Sequence, residues 1–205
     1  MVTAPSLEIG KSWVETTLGV ELQAGGEHSR MGTHNALLRL GESVYLEVIA
    51  INPAVPAPAR PRLFGLDWIE PEAPPRLATW IARTDDIHAA RAACPEPLGE
   101  IEPMSRGSLN WLMTIPADGS LPGDGIVPTL IEWRTEQHPA SLLENRGCLL
   151  KRLDAFHPHP EHIEQVLKSL GLQEVVSVNR LPAGNRPYLV ARIETPDGLR
   201  TLRGG

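Results

Sequence analysis

The stretch GGEHSRMGTHNALLRLGESVYLEVIAINP, residues 25–53, carries the pattern that decides the fold. It opens with a glycine-rich loop and continues into two apolar runs, residues 34–40 and 44–51, which a short polar turn separates. Runs of this length, rich in aliphatic and β-branched residues, predict two paired β-strands. Glu47 lies inside the second run, where a carboxylate needs an explanation.

A candidate helix precedes this strand pair. Residues 7–18 place apolar side chains on one face, and Ser6 is a suitable N-cap. Gly19 suits the left-handed position that ends a helix. A further strand is predicted at residues 20–24, so that the helix is followed by three strands.

The same order of elements recurs twice along the chain. Gly32-Thr33-His34-Asn35 has a counterpart in Gly107-Ser108-Leu109-Asn110, and each precedes an apolar strand, a turn and a strand with one acid. Those acids are Glu47 in YLEV and Glu132 in LIEW. The second copy has about ten more residues between its strands, in PADGSLPGDG, which predicts a long hairpin loop.

A third copy is predicted near the C-terminus. Its helix has Ile163, Val166, Leu167 and Leu170 at the spacing of one helical face. We therefore expect repeated β-α-β-β-β modules at residues 1–55 and 75–140, which together form one domain 1–140, and an abbreviated module at residues 147–205 that packs on it. The proline-rich residues 51–68 are predicted to be an extended linker between the first two modules.

Several segments carry a family resemblance: GGEHSRMGTHNALLRLG, YLEVIAINP, APARPRLFGLD, MSRGSLNW and PADGSLPGDGIVPTLIEW. They resemble the glyoxalase-like branch of the vicinal oxygen chelate superfamily, which includes glyoxalases, bleomycin resistance proteins and dioxygenases. The resemblance implies an α+β fold in which paired modules form cupped mixed sheets around a small-molecule cavity.

The resemblance also implies a divalent metal on the first and fourth strands of each module. Relatives carry an Asp-His pair in the first strand, and MVTAPSL aligns just after that pair; the matching place in the second module falls near Thr79. Glu47 and Glu132 occupy the fourth-strand positions and are the candidate metal ligands or catalytic acids. With two of four ligands, both carboxylates, we expect metal binding to be weak or absent.

Both acids have an alternative interpretation as strand residues on a solvated face. Their matched places in the two modules favour a common cavity, and we expect the two carboxylates to face it together. Tryptophans 80, 111 and 133 fall in the strands of module two, where core packing and a stacking wall for a ligand are both open.

The candidate substrate-binding residues are polar side chains near the same strands. Arg106 can clamp an anionic group, with a surface ion pair as its alternative. Asn35 and Asn110 can bind a ligand or a turn backbone. If Asn35 faces the cup, its neighbour His34 packs behind it. The full set is His28, His34, Asn35, Arg106, Asn110 and His138.

The implied function is that of a glyoxalase-like protein of unassigned reaction. It would bind a small oxygenated, anionic metabolite, as a metal-assisted lyase, isomerase or dioxygenase; the alternative is a non-catalytic binding or sequestering protein. The net charge of −6 without a basic stripe argues against nucleic acid. We expect a reduced cytoplasmic protein with no signal peptide, no membrane segment and the option of homodimerisation.

Overall fold

The computed structural model describes residues 1–135 and 137–204 and contains three mixed sheets in that range. Module one forms the first sheet, in the strand order β2-β3-β4-β1-β5. In this sheet β1 runs parallel to β4, and the remaining neighbours are antiparallel. The elements are β1 (Val2–Thr3), α1 (Leu7–Leu18), β2 (Gln23–His28), β3 (Thr33–Arg39), β4 (Tyr45–Ile51) and, from the start of module two, β5 (Arg76–Leu77).

Module two repeats this arrangement in a second sheet, in the order β6-β9-β8-β7. Its first strand again pairs in parallel with its last, and the other two pairs are antiparallel. The repeated β-α-β-β-β module expected from the sequence is therefore present in both copies. The elements are β6 (Ile81–Arg83), α2 (Ile87–Ala93), β7 (Glu100–Arg106), β8 (Leu109–Ile115) and β9 (Thr129–Trp133).

The helices begin and end where the sequence predicts. The Ser6 side chain accepts a hydrogen bond from the Ile9 amide, and Gly19 adopts φ 70° at the end of α1. Asp86 caps α2 by accepting from the Ala89 amide at 2.9 Å. The third helix starts at a proline, as the preference of proline for the first turn favours.

The third module has the same order of elements along the chain but a different sheet. Its strand order is β11-β10-β12-β13, so its first strand lies inside the sheet, between a parallel and an antiparallel neighbour. In modules one and two the first strand instead pairs with the last. The elements are β10 (Leu149–His157), α3 (Pro160–Ser169), β11 (Ser177–Arg180), β12 (Tyr188–Thr195) and β13 (Gly198–Arg203).

Two apolar cores hold these layers together. The larger joins the helix-covered faces of all three sheets, and α1 contacts β3 and β4 of its own sheet as well as β13. Ile163, Val166 and Leu167 of α3 are fully buried in it, so the third module shares the core of the other two. The smaller core lies between the open faces of the first two sheets and contains Met31, Ile49, Phe64, Trp111 and Met113, among others.

The α+β class with cupped mixed sheets and a third module is thus confirmed. The two cysteines, Cys94 and Cys148, are free. Across residues 1–135 and 137–204, no helix has the length and apolar character needed to span a membrane.

Candidate functional site

The cup between the first two sheets holds a cavity. Its empty space amounts to about 640 Å³, including the part that opens to solvent. The first sheet contributes alternate residues of β3 and β4, and the second contributes β7, β8 and β9. The lining is apolar except for one polar end, which consists of His28, Thr33, Asn35, Glu47 and Arg106.

A chain of hydrogen bonds connects the polar end across the two modules. Arg106, at the end of β7 in module two, donates from Nη1 to Asn35 Oδ1 at 3.3 Å and lies 3.2 Å from His28 Nε2. Asn35 also accepts from the Gly26 amide at 2.8 Å and donates to Glu47 Oε1 at 2.6 Å. Asn35 therefore orients both the guanidinium and the carboxylate.

The contacts of His28 define its tautomer. A guanidinium can only donate, so Nε2 of His28 accepts from Arg106 and the ring proton sits on Nδ1. Nδ1 lies 3.0 Å from the Thr33 hydroxyl, which can accept that proton. Burial lowers the pKa of His28, Arg106 and His34 lower it further, and only Glu47 opposes them. His28 is thus a neutral ring at neutral pH.

Two consecutive glycines allow this close packing. A Cβ on Gly25 would lie 1.9 Å from Asn35 Oδ1, and one on Gly26 would lie 2.9 Å from Arg106 Cδ. The pairing of β2 with β3 shifts by one residue at this point, between Ala24 and Glu27. The glycine-rich loop of the sequence is therefore a bulged edge strand that makes room for the polar end.

Glu47 lies at this end with one oxygen engaged. Its Oε1 accepts from Asn35. No bond to Oε2 occurs within residues 1–135 and 137–204, so this oxygen can face a ligand. Tyr45, two residues earlier on the same face of β4, also lines the cavity; burial and then Glu47 raise the pKa of its phenol.

A second part of the cavity wall, the aromatic end, is rich in aromatic rings and thioether side chains. The rings of Trp111 and Trp133 lie 5.2 Å apart at an angle of 50°. Met31, Met104 and Met113 complete this wall. Because these side chains have little polar surface, this end favours the apolar body of a ligand.

The linker covers the cavity from one side. Residues Leu63–Trp68 form a tight turn, the linker turn, rather than the extended chain predicted for them. Phe64 lines the cavity with φ 63°, a conformation that non-glycine residues rarely adopt. The turn is fastened to the long β8–β9 loop, since the Gly65 amide donates to Gly119 O at 2.8 Å. The strained Phe64 is therefore held in place by module two.

The prediction that Glu132 faces the cavity together with Glu47 is wrong. Glu132 lies on the opposite, helix-covered face of β9, where Oε2 accepts from the Ile87 amide at 2.9 Å. Its Oε1 pairs with Arg134 at 2.8 Å. Glu132 therefore binds the first turn of α2, and Ile131 and Trp133 point into the cup instead.

Hairpin length explains the reversal. In module one the closing pair is His28 with Thr33, across a four-residue loop; in module two it is Arg106 with Leu109, across two residues. Counting from these pairs, the place of Glu47 opposite Leu37 corresponds to Ile131 opposite Met113. The Gly-x-x-Asn match is thus displaced by one residue, and a one-residue slip moves a side chain to the other face.

The remaining candidates lie outside the cavity lining. His34 is on the helix-covered face of β3, behind Asn35, as the alternation along the strand requires. Asn110 is exposed and donates to Ser108 O at 3.2 Å, so it binds the backbone of its own turn rather than lining the cavity. His138 caps a short 3-10 helix, Pro139–Leu142, by accepting from the Ala140 amide. Its ring stands about 6 Å from those of Tyr45 and Trp133, at the rim.

The residues present do not fit the divalent metal that the resemblance implies. His28 and Glu47 are the candidate ligands at the polar end, but the Arg106 guanidinium already contacts His28 Nε2 and would repel a cation. Glu132 faces away. Among the described residues, no group of three His, Cys, Asp or Glu side chains is arranged to hold a metal ion.

Sequence reasoning missed part of the site for different reasons. Tyr45 could have been predicted from the sequence, because the alternation along β4 places it on the same face as Glu47. Thr33 shares the face of Asn35 for the same reason. Phe64 gave no signal, because it lies in a proline-rich segment whose turn depends on the contact with Gly119.

The two cupped sheets and their shared cavity define the class of protein: a vicinal oxygen chelate fold built from paired β-α-β-β-β modules. A family model described as a glyoxalase-like domain matches residues 1–171, and the chain belongs to that family. No curated protein matches the chain.

One solved structure similar to this chain is the crystal structure of a hypothetical protein from Staphylococcus aureus. The similarity covers 90% of this chain and 76% of the other, with 14% sequence identity and a TM-score of 0.49. At that level it carries no argument about function or site residues.

Proposed function

We propose that this glyoxalase-like protein binds a small organic anion in the cup, with the acidic group on Arg106 and the apolar body against the aromatic end. The observation that carries the proposal is the environment of the Arg106 guanidinium. It lines a mostly apolar cavity, and its partners, Asn35 and a neutral His28, carry no charge. Within residues 1–135 and 137–204, it takes part in no ion pair.

A guanidinium in such surroundings favours an anionic ligand. Charges in apolar sites are costly unless they are paired, and the ligand would supply the missing partner. The Arg106 head group can donate two parallel hydrogen bonds to a carboxylate or phosphate. Asn35 and His28 hold the head group in place, so little side-chain entropy is lost when the ligand binds.

The first experiment tests the charge requirement. Titration calorimetry would compare small carboxylic acids with their neutral amides on the wild type, Arg106→Gln, Arg106→Lys and a control, Arg200→Gln. Arg200 is an exposed residue of β13 in the third module, outside the cavity lining. Charge-assisted hydrogen bonds contribute about 1.5–3 kcal/mol, so Arg106→Gln should weaken acids roughly 10- to 100-fold and leave amides nearly unchanged.

Equal binding of acids and amides by the wild type would refute the proposal. So would an Arg106→Gln protein that binds acids as tightly as the Arg200→Gln control. The affinity of Arg106→Lys for acids should fall between those of Arg106→Gln and the Arg200→Gln control, because an ammonium keeps the charge but loses the planar two-point geometry.

Proton transfer by Glu47 is the second candidate function, and its free oxygen is the observation that favours it. With Oε1 held by Asn35, Oε2 can take a proton from a bound substrate while Arg106 stabilises the anion. This scheme corresponds to an isomerase or lyase without a metal step; a non-catalytic binder is the alternative.

Deuterium exchange separates these two functions. In the presence of the wild type, a bound 2-hydroxy acid should exchange its C2 hydrogen with D₂O, and a bound 2-oxo acid should exchange a C3 hydrogen, next to the ketone. Glu47→Gln should abolish the exchange with little change in affinity. A wild type that binds the acid without exchange would identify a binding protein. Homodimerisation and a cytoplasmic location stay predictions.

A further inference from the structure

The indole of Trp111 has a polar group without a partner. Trp111 is 7% exposed and lines the cavity, and its Nε1 is fully buried with no hydrogen-bond acceptor among the described residues. Trp80, in the same module, shows the usual arrangement: its Nε1 donates to Ile126 O at 2.8 Å. Buried indole N–H groups normally find an acceptor, and the Trp111 N–H lacks one among the described residues.

The strand register fixes how Trp111 stands relative to Arg106. In the antiparallel pair β7–β8, Met104 is opposite Trp111 and Arg106 is opposite Leu109. Arg106 and Trp111 are therefore diagonal neighbours on one face, roughly 7–8 Å apart between backbones. Trp111 is in turn opposite Trp133 on β9. The distance from β7 to β9 is two strand spacings, or about 10 Å. A substituted benzene ring with a carboxyl group has about the same length.

The chemistry of the wall favours an aromatic body over an aliphatic one. Two tryptophan rings meet there at an angle, and the sulfur-bearing side chains Met31, Met104 and Met113 line the same cavity. Aromatic rings gain from contact with other ring faces and edges and with thioether sulfur, beyond the area they bury. A saturated ring of similar volume buries the same area without these contacts.

We propose that the anion bound in the cup is an aromatic carboxylic acid with a hydrogen-bond acceptor on its ring. The carboxylate binds Arg106, the ring lies against Trp111 and Trp133, and the acceptor receives the Trp111 Nε1 proton. This inference rests on the proposed function, because it names the ligand class of the same site.

The test uses the full-length chain and matched pairs of probes in titration calorimetry. Benzoate against cyclohexanecarboxylate tests the aromatic ring, and benzoate against benzamide tests the charge. The 3- and 4-methoxybenzoates against the 3- and 4-ethylbenzoates test the acceptor, since each pair differs by one ether oxygen. Benzoate should bind about two- to tenfold more tightly than the saturated acid.

The variant Trp111→Phe keeps a ring and removes the N–H. One methoxy isomer should bind the wild type about two- to tenfold more tightly than its ethyl partner, and Trp111→Phe should erase that preference. Trp68→Phe is the control, because Trp68 is 63% exposed and outside the cavity lining. A third readout needs no variant: the ¹⁵N-labelled indole resonance of Trp111 should move downfield on binding of the preferred methoxy acid.

The outcomes distinguish this inference from the proposed function. If saturated and aromatic acids bind equally and no methoxy acid is preferred, the ligand class is wrong while anion binding stands. If benzamide binds as tightly as benzoate and Arg106→Gln leaves both affinities unchanged, the proposal of anion binding itself is wrong. If no acid binds up to its solubility limit, both are refuted.

Discussion

Replacing Glu132 with alanine should destabilise the fold without affecting the cup. Glu132 as a whole residue is 8% exposed, and its Oε2 accepts from the Ile87 amide, one of the four amides that α2 leaves without an intrahelical partner. Alanine leaves that buried N–H without an acceptor, which costs about 1–3 kcal/mol. The lost negative charge near the helix N-terminus adds a few tenths of a kcal/mol.

For a chain of this size, a loss of about 2 kcal/mol corresponds to a decrease in Tm of roughly 4–8 °C. Urea unfolding gives the free energy directly from the midpoint and slope. Two controls separate the causes. Glu132→Gln keeps an acceptor oxygen and should lose less than about 1 kcal/mol, and Arg134→Ala, half-exposed, should lose about 0–1 kcal/mol.

The result that would contradict this reasoning is a Glu132→Ala protein as stable as the wild type. A large loss of ligand affinity at unchanged stability would also contradict it, because that would return Glu132 to the cavity. Anion binding by the folded variant should equal that of the wild type.

Three further outcomes follow from the site and its cover. Burial lowers the pKa of His28 below the unfolded value of 6.5. The stability that the neutral ring contributes is therefore complete above pH 6.5 and is lost as pH falls toward the folded pKa. In His28→Gln, the difference between the urea midpoints at high and low pH should become smaller. Gly119→Ala should cost at least about 1 kcal/mol more than Gly184→Ala by urea unfolding, because both have positive φ but only Gly119 would place a Cβ 2.1 Å from the carbonyl oxygen of Arg62 in the linker. Equal losses would refute the close contact between the linker and the β8–β9 loop. Gly25→Ala should displace Asn35 and weaken anion binding measured by calorimetry, while unchanged affinity would show that Asn35 does not orient the site.

Local signals in the sequence predicted the elements well. Ser6 and Gly19 mark the ends of α1, and alternation along β4 assigns Tyr45 and Glu47 to one face. These signals act within a few residues of chain, where backbone sterics and side-chain caps dominate. The repeated β-α-β-β-β order came from the repeat in the sequence and the cup from the family resemblance, and of the candidate substrate-binding residues His28, Asn35 and Arg106 line that cup.

The errors arose where two distant segments meet. The face of Glu132 depends on the length of the β7–β8 hairpin, which shifts the alternation by one residue relative to the first module. The conformation of Phe64 depends on the backbone hydrogen bond that the next residue, Gly65, donates to Gly119 O, about fifty residues away in the chain.

The hydrogen bonds from Arg106 to module one make ligand affinity a measure of how firmly the two sheets are docked. Glu102, on the same strand, forms ion pairs with Arg30 of the β2–β3 hairpin and Arg60 of the linker, so this strand fastens the modules in two places. Because the polar end combines Arg106 of module two with residues of module one, a ligand binds only the docked state and stabilises it by mass action. A substitution at Glu102, outside the cavity lining, should therefore lower affinity by the factor by which it lowers the fraction of docked protein.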